Sequence, residues 1–322
     1  MAVYTKINNR DLLSLSDSYK LGKITKLKGI KKGIENTNYL LRTNKNKFIL
    51  TIFERRVKKK DLPFFMSLME KLNQKKIICP KPLKNNKGEH LSKVRNKPAS
   101  IVTFLSGSDK TNLNYKNCFD IGKNIAKFHK ATSMIKLYRE NSMSVKKLGG
   151  LLKSIKFKSS RMSSKLEPTL NECLKDIKGQ WPKKLPDGII HGDLFIDNIF
   201  FNKNKFSGFI DFYFSSNDYL MYEIAICINA LCFDKKRNYF KMNYKKVKNL
   251  IDGYETLRPF TKKEKDALNI LCRGAALRYL LTRIYDYFNT PKTALIQIKD
   301  PNEYFQKLIF HNNLNSYKDY YK

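Results

Sequence analysis

The sequence predicts an α+β protein of two lobes, with a small β-rich N-terminal lobe and a larger, mostly helical C-terminal lobe. Three strand-like segments follow one another early in the chain, at 24–30, 38–42 and 47–53. Long helical patterns dominate later, at 115–132, 166–180, 218–233 and 261–288. Between these regions, a strand at 99–104 runs into Leu105-Ser106-Gly107-Ser108. We therefore expect an N-lobe over 1–106 and a C-lobe over 107–322.

The composition fits a folded protein, because 42% of the residues are hydrophobic and 12% are aromatic. At 322 residues the chain is long enough to bury a core in each lobe. No apolar run approaches the ~20 residues that cross a bilayer. The first residues, MAVYTKINNRDLL, lack the apolar region of a signal peptide. We expect a cytoplasmic protein with no membrane partner.

The net charge of +36 raises the question of a nucleic-acid partner. Lysines are spread along the whole chain, as at 58–60, 203–205 and 245–246, and are not gathered on one segment. This spread is typical of an AT-rich genome and not of a localised nucleic-acid footprint. We expect only nonspecific affinity for polyanions at low salt. The six cysteines are scattered and form no CxxC pair, so we expect buried thiols in a reducing compartment.

The most informative stretch is 188–214, GIIHGDLFIDNIFFNKNKFSGFIDF followed by Tyr213-Phe214. Asn198 follows Asp193 by five residues, and a predicted hairpin over 199–210 returns the chain to Asp211. Two carboxylates and one amide oxygen then converge, which suits Mg²⁺ and leaves a carboxylate for proton chemistry. The alternative is a tight turn before a buried hairpin. It is less favoured because Asp193 and Asp211 flank apolar runs, where unpaired carboxylates are costly.

The ordered pattern H-x-D-x-x-x-x-N, followed by a strand that ends in D-F, is the catalytic signature of kinase-like phosphotransferases. His191 is expected to support the catalytic loop. Protein kinases usually carry Arg after this His and Gly after D-F, whereas this chain has Gly192 and Tyr213. The chain also has no A-P-E sequence. These differences predict a small-molecule kinase without activation-loop control.

The predicted nucleotide-phosphate site is less well defined. Two interpretations are open for the loop with Gly33 and Asn36. It is predicted either to cover the phosphates through its backbone N–H groups or to be a plain hairpin turn. Thr51 stands at the inward position of the third strand, where protein kinases carry Lys. Arg42 is a candidate for the missing cation. Arg55 and Arg56 are further candidates.

Two other features concern the nucleotide. Glu70 lies at the edge of the apolar face of a helix that begins at Asp61. It either orients the phosphate-binding cation or is a solvated surface residue. The backbone from Thr103 to Leu105 is expected to read the adenine edge.

The segment 218–233 is apolar nearly all round, which predicts a buried helix with Asp218 as its N-cap. Glu223 interrupts it, and we favour a core hydrogen bond over a substrate contact for this residue. A last helix over 261–288, with an expected break near Gly274, carries Arg278 and Arg283 in apolar surroundings. Each buried Arg needs an anion, which is either an internal carboxylate or a substrate group.

The stretches HGDLFIDNIFF and SGFIDFYFSSNDYLMYEIAICINALCF resemble the type of homoserine kinase built on the aminoglycoside-phosphotransferase fold. MAVYTKI, GIENTNYLLRT, FILTIFERRV, DLPFFMSLMEKL and RGAALRYLLTRIYDYFNTP extend the resemblance over nearly the whole chain. The region 139–180 departs most, and its role stays open.

The resemblance implies a bilobal protein-kinase-like fold. It also implies transfer of the ATP γ-phosphoryl group to the side-chain hydroxyl of L-homoserine, in threonine biosynthesis. By position, Asp193 is the catalytic base, and Asn198 and Asp211 hold Mg²⁺. The resemblance also implies that Thr51 is usual in this branch.

An amino-acid acceptor needs a carboxylate for its ammonium group and a cation for its carboxylate. Asp218 or Glu223, with Arg278 or Arg283, are the candidates for these roles. Two alternatives stay open at this point. One is a related kinase acting on choline, ethanolamine, an aminoglycoside or a methylthio-sugar, and the other is a non-catalytic ATP-binding protein.

Overall fold

The computed structural model describes residues 4–30, 36–54, 57–157, 161–290 and 298–321, without side-chain detail at 161–164. The chain folds into two compact units. Unit 1 consists of the described part of Met1–Gly107 together with Ile135–Arg139 and Ser207–Tyr213. Unit 2 consists of the described parts of Ser108–Met134, Glu140–Phe206 and Phe214–Lys322.

Unit 1 is built on a five-stranded antiparallel sheet in the order β1-β2-β3-β5-β4. The strands are β1 (Ile24–Gly29), β2 (Thr37–Thr43), β3 (Lys47–Ile52), β4 (Leu91–Val94) and β5 (Lys97–Thr103). Two helices accompany them, α1 (Asn9–Tyr19) and α2 (Leu62–Gln74). The structure confirms the strands expected at 24–54 and 99–104, and the helix after Asp61. The short strand β4 was not anticipated.

One face of this sheet packs against α1. Leu15 and Tyr19 of the helix join Leu41, Leu50 and Ile101 of the strands in a single apolar cluster. Asn8 caps the helix in a reciprocal capping box with Asp11, which fixes where α1 begins. Every second side chain of β2 is buried, and two of these, Tyr39 and Leu41, belong to the apolar cluster.

Unit 2 is mostly helical. Its helices are α3 (Tyr115–Thr132), α4 (Leu148–Lys153), α5 (Arg161–Gln180), α6 (Leu220–Leu231), α7 (Tyr244–Glu255), α8 (Lys262–Asn289), α9 (Asn302–Asn312) and α10 (Tyr317–Tyr320). Short strands pair in twos within unit 2: β6 (Asp187–Ile190) with β9 (Ser216–Tyr219), and β10 (Phe233–Lys235) with β11 (Phe240–Met242). A local hairpin joins β7 (Ile199–Asn202) to β8 (Lys205–Phe209), whose residues from Ser207 onward are assigned to unit 1. The structure confirms the helix expected over 115–132 and the hairpin after Asn198. The C-terminal helices α9 and α10 were not anticipated.

Helices α3 and α7 approach each other closely because each offers a glycine at the contact. A Cβ atom on Gly122 would lie 1.9 Å from the carbonyl oxygen of Leu250, and one on Gly253 would lie 2.0 Å from that of Phe119. Neither position has room for a larger residue without a shift of backbone. The two glycines therefore set the distance between these helices.

Helix α6 is buried along its whole length except at Ala230, which confirms the expectation of a core helix. Its start was predicted wrongly. Asp218 is not the N-cap, because residues 216–219 pair with β6 as strand β9 and are held in an extended conformation. Tyr219 takes the N-cap position without a side-chain hydrogen bond to the helix.

Helix α8 runs without a break, so the interruption expected near Gly274 was wrong. Gly274 serves a packing purpose instead, since a Cβ atom there would lie 2.3 Å from Cζ3 of Trp181. The indole ring occupies the space that a side chain would need. No helix among the described residues is long and apolar enough to span a membrane.

Candidate active site

The catalytic loop connects β6 to β7 and contains His191, Gly192 and Asp193. Gly192 has a φ of 77°, in the left-handed region that favours glycine. A Cβ atom at this position would also lie 3.0 Å from the carbonyl oxygen of Phe214. The loop therefore requires glycine where protein kinases carry Arg.

Asp193 and Asn198 lie side by side, as their spacing predicted. A 3-10 turn over Ile196–Asn198 brings the amide of Asn198 back to the loop. Its Nδ2 donates to the backbone oxygen of Asp193 at 2.8 Å and to Oδ2 of the Asp193 carboxylate at 3.2 Å. Because the amide nitrogen is used on Asp193, the amide oxygen is left for another ligand. The Asp193 side chain stays partly exposed, so an acceptor molecule can reach it.

Tyr279 of α8 is a neighbour of the catalytic carboxylate that sequence reasoning missed. Its hydroxyl lies 3.4 Å from Oδ1 of Asp193 and 3.3 Å from the backbone oxygen of Gly192. The ring packs edge-on against Phe195, with 4.8 Å between the ring centroids. In the sequence Tyr279 is one aromatic residue in a long apolar helix, and its position directly after Arg278 is the only signal that could have drawn attention to it.

Glu223 supports the loop and does not face a substrate. Its side chain has no exposed surface, and its carboxylate accepts hydrogen bonds from the backbone N–H groups of His191 and Gly192. Desolvation by burial raises the pKa of Glu223 to about 7, and these two backbone hydrogen bonds oppose that rise. The role of substrate ligand is therefore wrong for Glu223, and the core hydrogen bond is the observed arrangement. His191 is also fully buried, which places it within the loop's support.

The two arginines of α8 differ in their surroundings. Arg283 donates to Glu303 at 2.7 Å and to the backbone oxygen of Asp300 at 2.8 Å. Its charge is thus met inside unit 2, which contradicts a role as substrate ligand and agrees with the internal salt bridge. Arg278 is 2% exposed, and its Nε and Nη1 atoms find no hydrogen-bond partner among the described residues.

Asp218 is half-buried in β9. Its Oδ2 accepts from Nδ2 of Asn141 at 2.6 Å, and its Oδ1 accepts from the backbone N–H of Tyr219 at 2.8 Å. Desolvation raises the pKa of Asp218, while these two hydrogen bonds and, after them, the positive charge of Arg278 oppose the rise. Asn141 lies in the 139–180 region whose role the sequence left open.

Asp211 belongs to unit 1 and follows the hairpin directly. Its side chain is exposed, and its backbone has a φ of 64°, an uncommon left-handed conformation for a residue other than glycine. Such conformations cost about 1–3 kcal/mol and cluster at functional sites. Two residues later, the ring of Tyr213 packs edge-on against Phe53 and Phe65, at 5.1 and 5.7 Å between ring centroids. Tyr213 thus anchors the end of this segment in the core of unit 1.

Thr51 occupies a buried position on β3, and its hydroxyl donates to Oδ1 of Asn38 at 2.8 Å. The side chain is therefore used within the sheet. Asn36 is buried, and its Oδ1 accepts from the backbone N–H of Glu54 at 3.4 Å. Arg42 is exposed on β2. Gly33, Arg55 and Arg56, also named from the sequence, lie outside the described residues.

The Glu70 carboxylate lies close to two side chains of unit 1, Lys84 and His90. It lies 2.7 Å from Nζ of Lys84 and 3.1 Å from Nε2 of His90. The hydrogen bond from Lys84 lowers the pKa of Glu70, and His90 adds to this effect. Glu70 thus orients one cation, that of Lys84, whose side chain is half exposed. Neither Lys84 nor His90 was anticipated as a partner.

The stretch expected to read adenine continues from the end of β5. The N–H groups of Thr103 and Phe104 donate to the backbone oxygens of Lys81 and Lys47. The N–H of Leu105 donates to no group of the described residues. Leu105 is therefore the residue of this stretch with a free backbone donor.

Known proteins resemble this chain in sequence and in fold. A family model described as "Phosphotransferase enzyme family" matches residues 26–260. A homoserine kinase of Agrobacterium fabrum is 41% identical over 320 residues, which cover 99% of this chain and 98% of the relative. A homoserine kinase of Rhodopseudomonas palustris is 43% identical over 320 residues, covering 99% and 97%.

Solved structures share the fold at low identity. An amicoumacin kinase in complex with AMP-PNP, Ca²⁺ and Ami has a TM-score of 0.72 at 13% identity, covering 95% of this chain and 92% of its own. A choline kinase of Streptococcus pneumoniae has a TM-score of 0.64 at 13% identity, covering 95% and 100%. The kinase-like α+β fold predicted from the sequence is confirmed. The chain therefore belongs to the phosphotransferase enzyme family, in a branch shared with the homoserine kinases.

Proposed function

We propose that the protein is an ATP-dependent kinase that transfers the γ-phosphoryl group to the side-chain hydroxyl of L-homoserine, as a step of threonine biosynthesis. The observation that carries the choice of acceptor is the identity of 41–43% to homoserine kinases over nearly the full length of both chains. The partly exposed carboxylate of Asp193, held beside Asn198, supports the chemistry. The product is O-phospho-L-homoserine.

Asp193 is the group that receives the acceptor hydroxyl. Asn198 contacts one oxygen of its carboxylate, and Tyr279 lies near the other, so the carboxylate is oriented before an acceptor arrives. A carboxylate oxygen is the natural acceptor for the proton of a hydroxyl group. Because phosphoryl transfer depends mainly on positioning and charge neutralisation, this alignment of the nucleophile is the main contribution of Asp193.

We propose Asn198 of unit 2 and Asp211 of unit 1 as ligands of Mg²⁺, because each offers an oxygen ligand. The amide oxygen of Asn198 is free of hydrogen bonds to the described residues, and Asp211 presents an exposed carboxylate. No group of three His, Cys, Asp or Glu side chains in the described ranges could hold a metal by itself. Mg²⁺ in kinases is usually bound by one or two protein oxygens together with substrate phosphates. A bound magnesium ion supplies neutralisation of the phosphate charge.

The nucleotide contacts are proposed from unit 1. The N–H of Leu105, which has no acceptor within the described ranges, is suited to the adenine edge. Asn36 comes at the end of the sequence segment proposed to cover the phosphates, and the Glu70–Lys84 pair offers a cation in the same unit.

An acceptor panel tests the proposed function. ADP release is measured with Mg-ATP and L-homoserine, L-serine, L-threonine, choline or kanamycin, with the Asp193→Asn protein as the blank. We expect turnover with L-homoserine that the variant loses. Turnover with another acceptor alone would refute homoserine as the substrate, and the absence of turnover with every acceptor would refute the enzyme.

A further inference from the structure

The phosphoryl-transfer chemistry leaves Arg278 unexplained. The side chain is 2% exposed, and two of its three guanidinium nitrogens are buried without a hydrogen-bond acceptor in the described part of the chain. A buried charge is costly unless it is paired and hydrogen-bonded. The cost implies that an anion completes this site.

The other shielded arginines of unit 2 show what pairing looks like in this protein. Arg258 contacts Glu264 at 2.8 Å, and Arg283 contacts Glu303 at 2.7 Å. Arg273 pairs with Asp176. Arg278 is more buried than these three, and no carboxylate of the described residues lies within salt-bridge distance of it.

Arg278 is connected to the catalytic carboxylate through a residue that contacts both. Its guanidinium carbon lies 4.8 Å from the ring centroid of Tyr279 and 5.9 Å from that of Phe214. Tyr279 is the same residue whose hydroxyl reaches Asp193. Arg278 therefore contacts the ring of Tyr279, whose hydroxyl lies beside Asp193, the group that receives the acceptor hydroxyl.

Asp218 carries the opposite charge within electrostatic reach of Arg278. It interacts electrostatically with Arg278, yet the two side chains form no salt bridge. Asn141 and the backbone of Tyr219 fix its carboxylate, and each oxygen keeps room for a further donor. Two opposite charges that are poorly solvated, oriented and unpaired with each other match the ammonium and carboxylate groups of a free amino acid.

We propose that Arg278 binds the α-carboxylate of the acceptor and that Asp218 binds its α-ammonium group. This assignment rests on the proposed function, and it identifies the acceptor class as a free α-amino acid with a side-chain hydroxyl. The competing explanation is that Arg278 only neutralises the buried acids around it. Glu223 and Asp193 both lie within its electrostatic reach, so that explanation has a physical basis.

Three acceptors separate the two explanations. L-homoserine has both charged groups, 3-amino-1-propanol lacks the carboxylate, and 4-hydroxybutyrate lacks the ammonium group. We expect Arg278→Met to lower kcat/KM for L-homoserine about 10- to 100-fold, mainly through KM, because hydrogen bonds between charged groups have this strength. The same variant should change kcat/KM for 3-amino-1-propanol by less than about threefold and leave the KM for ATP unchanged.

Asp218→Asn should show the complementary pattern. It should reduce kcat/KM for L-homoserine and 3-amino-1-propanol about 10-fold or more, and leave 4-hydroxybutyrate nearly unchanged. Arg283→Met is the matched control, since Arg283 lies on the same helix and is already paired with Glu303. We expect it to change none of the three acceptors by more than about threefold.

A uniform loss across all three acceptors in Arg278→Met would overturn the assignment and leave Arg278 as a neutralising residue. If Arg278→Met does not fold, as judged by thermal unfolding, Arg278→Lys takes its place. The lysine variant keeps the charge and loses the bidentate geometry, so it should lose L-homoserine activity selectively. A wild-type enzyme that does not phosphorylate L-homoserine would refute the proposed function itself, which is a separate outcome.

Discussion

The carboxylate of Glu223 accepts a hydrogen bond from the backbone N–H of Gly192, one residue before Asp193, from a position with no exposed surface. It accepts a second bond from the N–H of His191. Helix α6, which is buried on nearly all sides, thus holds the backbone of the catalytic loop through the Glu223 side chain. The position of Asp193 depends on a residue that never meets a substrate.

Replacing Glu223 by Gln should weaken this attachment. The Gln amide keeps one acceptor oxygen but directs an N–H₂ group towards a backbone donor, which leaves a buried polar group unsatisfied. We expect a loss of about 1–3 kcal/mol in the free energy of unfolding and a lower kcat, with little change in either KM. Denaturant unfolding and steady-state kinetics measure both effects. A variant with wild-type stability and kcat would show that the loop is held by other contacts.

The raised pKa of Glu223 predicts a pH dependence of stability. Desolvation places this pKa at about 7 in the folded protein, above the ordinary value of 4.5. Between these values the folded state binds more protons than the unfolded state, so the free energy of unfolding falls as pH rises from about 4.5 to about 7. The slope from this one group is at most about 1.4 kcal/mol per pH unit.

The difference between wild type and Glu223→Gln isolates that contribution. Denaturant unfolding at pH 5, 6, 7 and 8 should show the wild type losing stability relative to the variant, with the change complete above pH 8. Parallel curves for the two proteins would mean that Glu223 has an ordinary pKa.

Asn198 and Asp193 should respond differently to magnesium. Asn198→Ala removes the proposed metal ligand and the donor to Asp193, so we expect a lower kcat and a concentration of Mg²⁺ for half-maximal rate that is raised about 10-fold or more. Asp193→Asn should abolish turnover without weakening the binding of Mg-ATP. Titration of Mg²⁺ at saturating ATP measures the first effect, and nucleotide binding measures the second.

The control is Asn249→Ala, which removes an exposed amide whose Nδ2 donates to a carbonyl oxygen of its own helix. It should leave the magnesium dependence unchanged. If Asn198→Ala also leaves it unchanged, Asn198 is not a ligand.

Gly253→Ala should destabilise unit 2. The added methyl group would lie 2.0 Å from the carbonyl oxygen of Phe119, a backbone atom that cannot rotate away, so α3 and α7 must separate. Overpacking of this kind typically costs about 1–3 kcal/mol. Gly179→Ala is the matched control, because a Cβ atom at Gly179 meets no atom within 4 Å. The control should be neutral or up to about 1 kcal/mol more stable, as Ala is the better helix former. Equal thermal stability of the two variants would contradict the contact.

Elements that are formed by residues close together in the sequence were predicted correctly from local patterns. The five-residue spacing from Asp193 to Asn198 fits one 3-10 turn, and the hairpin after Asn198 follows from two apolar stretches on either side of a polar turn. The buried helix α6 was readable from its apolar sequence, and so was the start of α2 after Asp61.

Contacts between residues far apart in the sequence could not be predicted from local patterns. Asp218 was mistaken for a helix cap because its partner in the sheet, Gly188, lies thirty residues earlier. Gly274 was mistaken for a helix break because the ring of Trp181 that needs its space belongs to another segment. The choice between Arg278 and Arg283 also required the structure, since only the fold shows that Glu303 reaches one and not the other.

Identification of the reaction product tests the central claim most directly. The protein is incubated with Mg-ATP and L-homoserine, and the products are identified by mass spectrometry and ³¹P NMR, with the Asp193→Asn variant in parallel. We predict one O-phospho-L-homoserine for each ADP, with the phosphoryl group on the side-chain oxygen, and neither product from the variant. ADP formed without phosphohomoserine, or phosphohomoserine formed equally by the variant, would contradict the assignment of the acceptor or of Asp193.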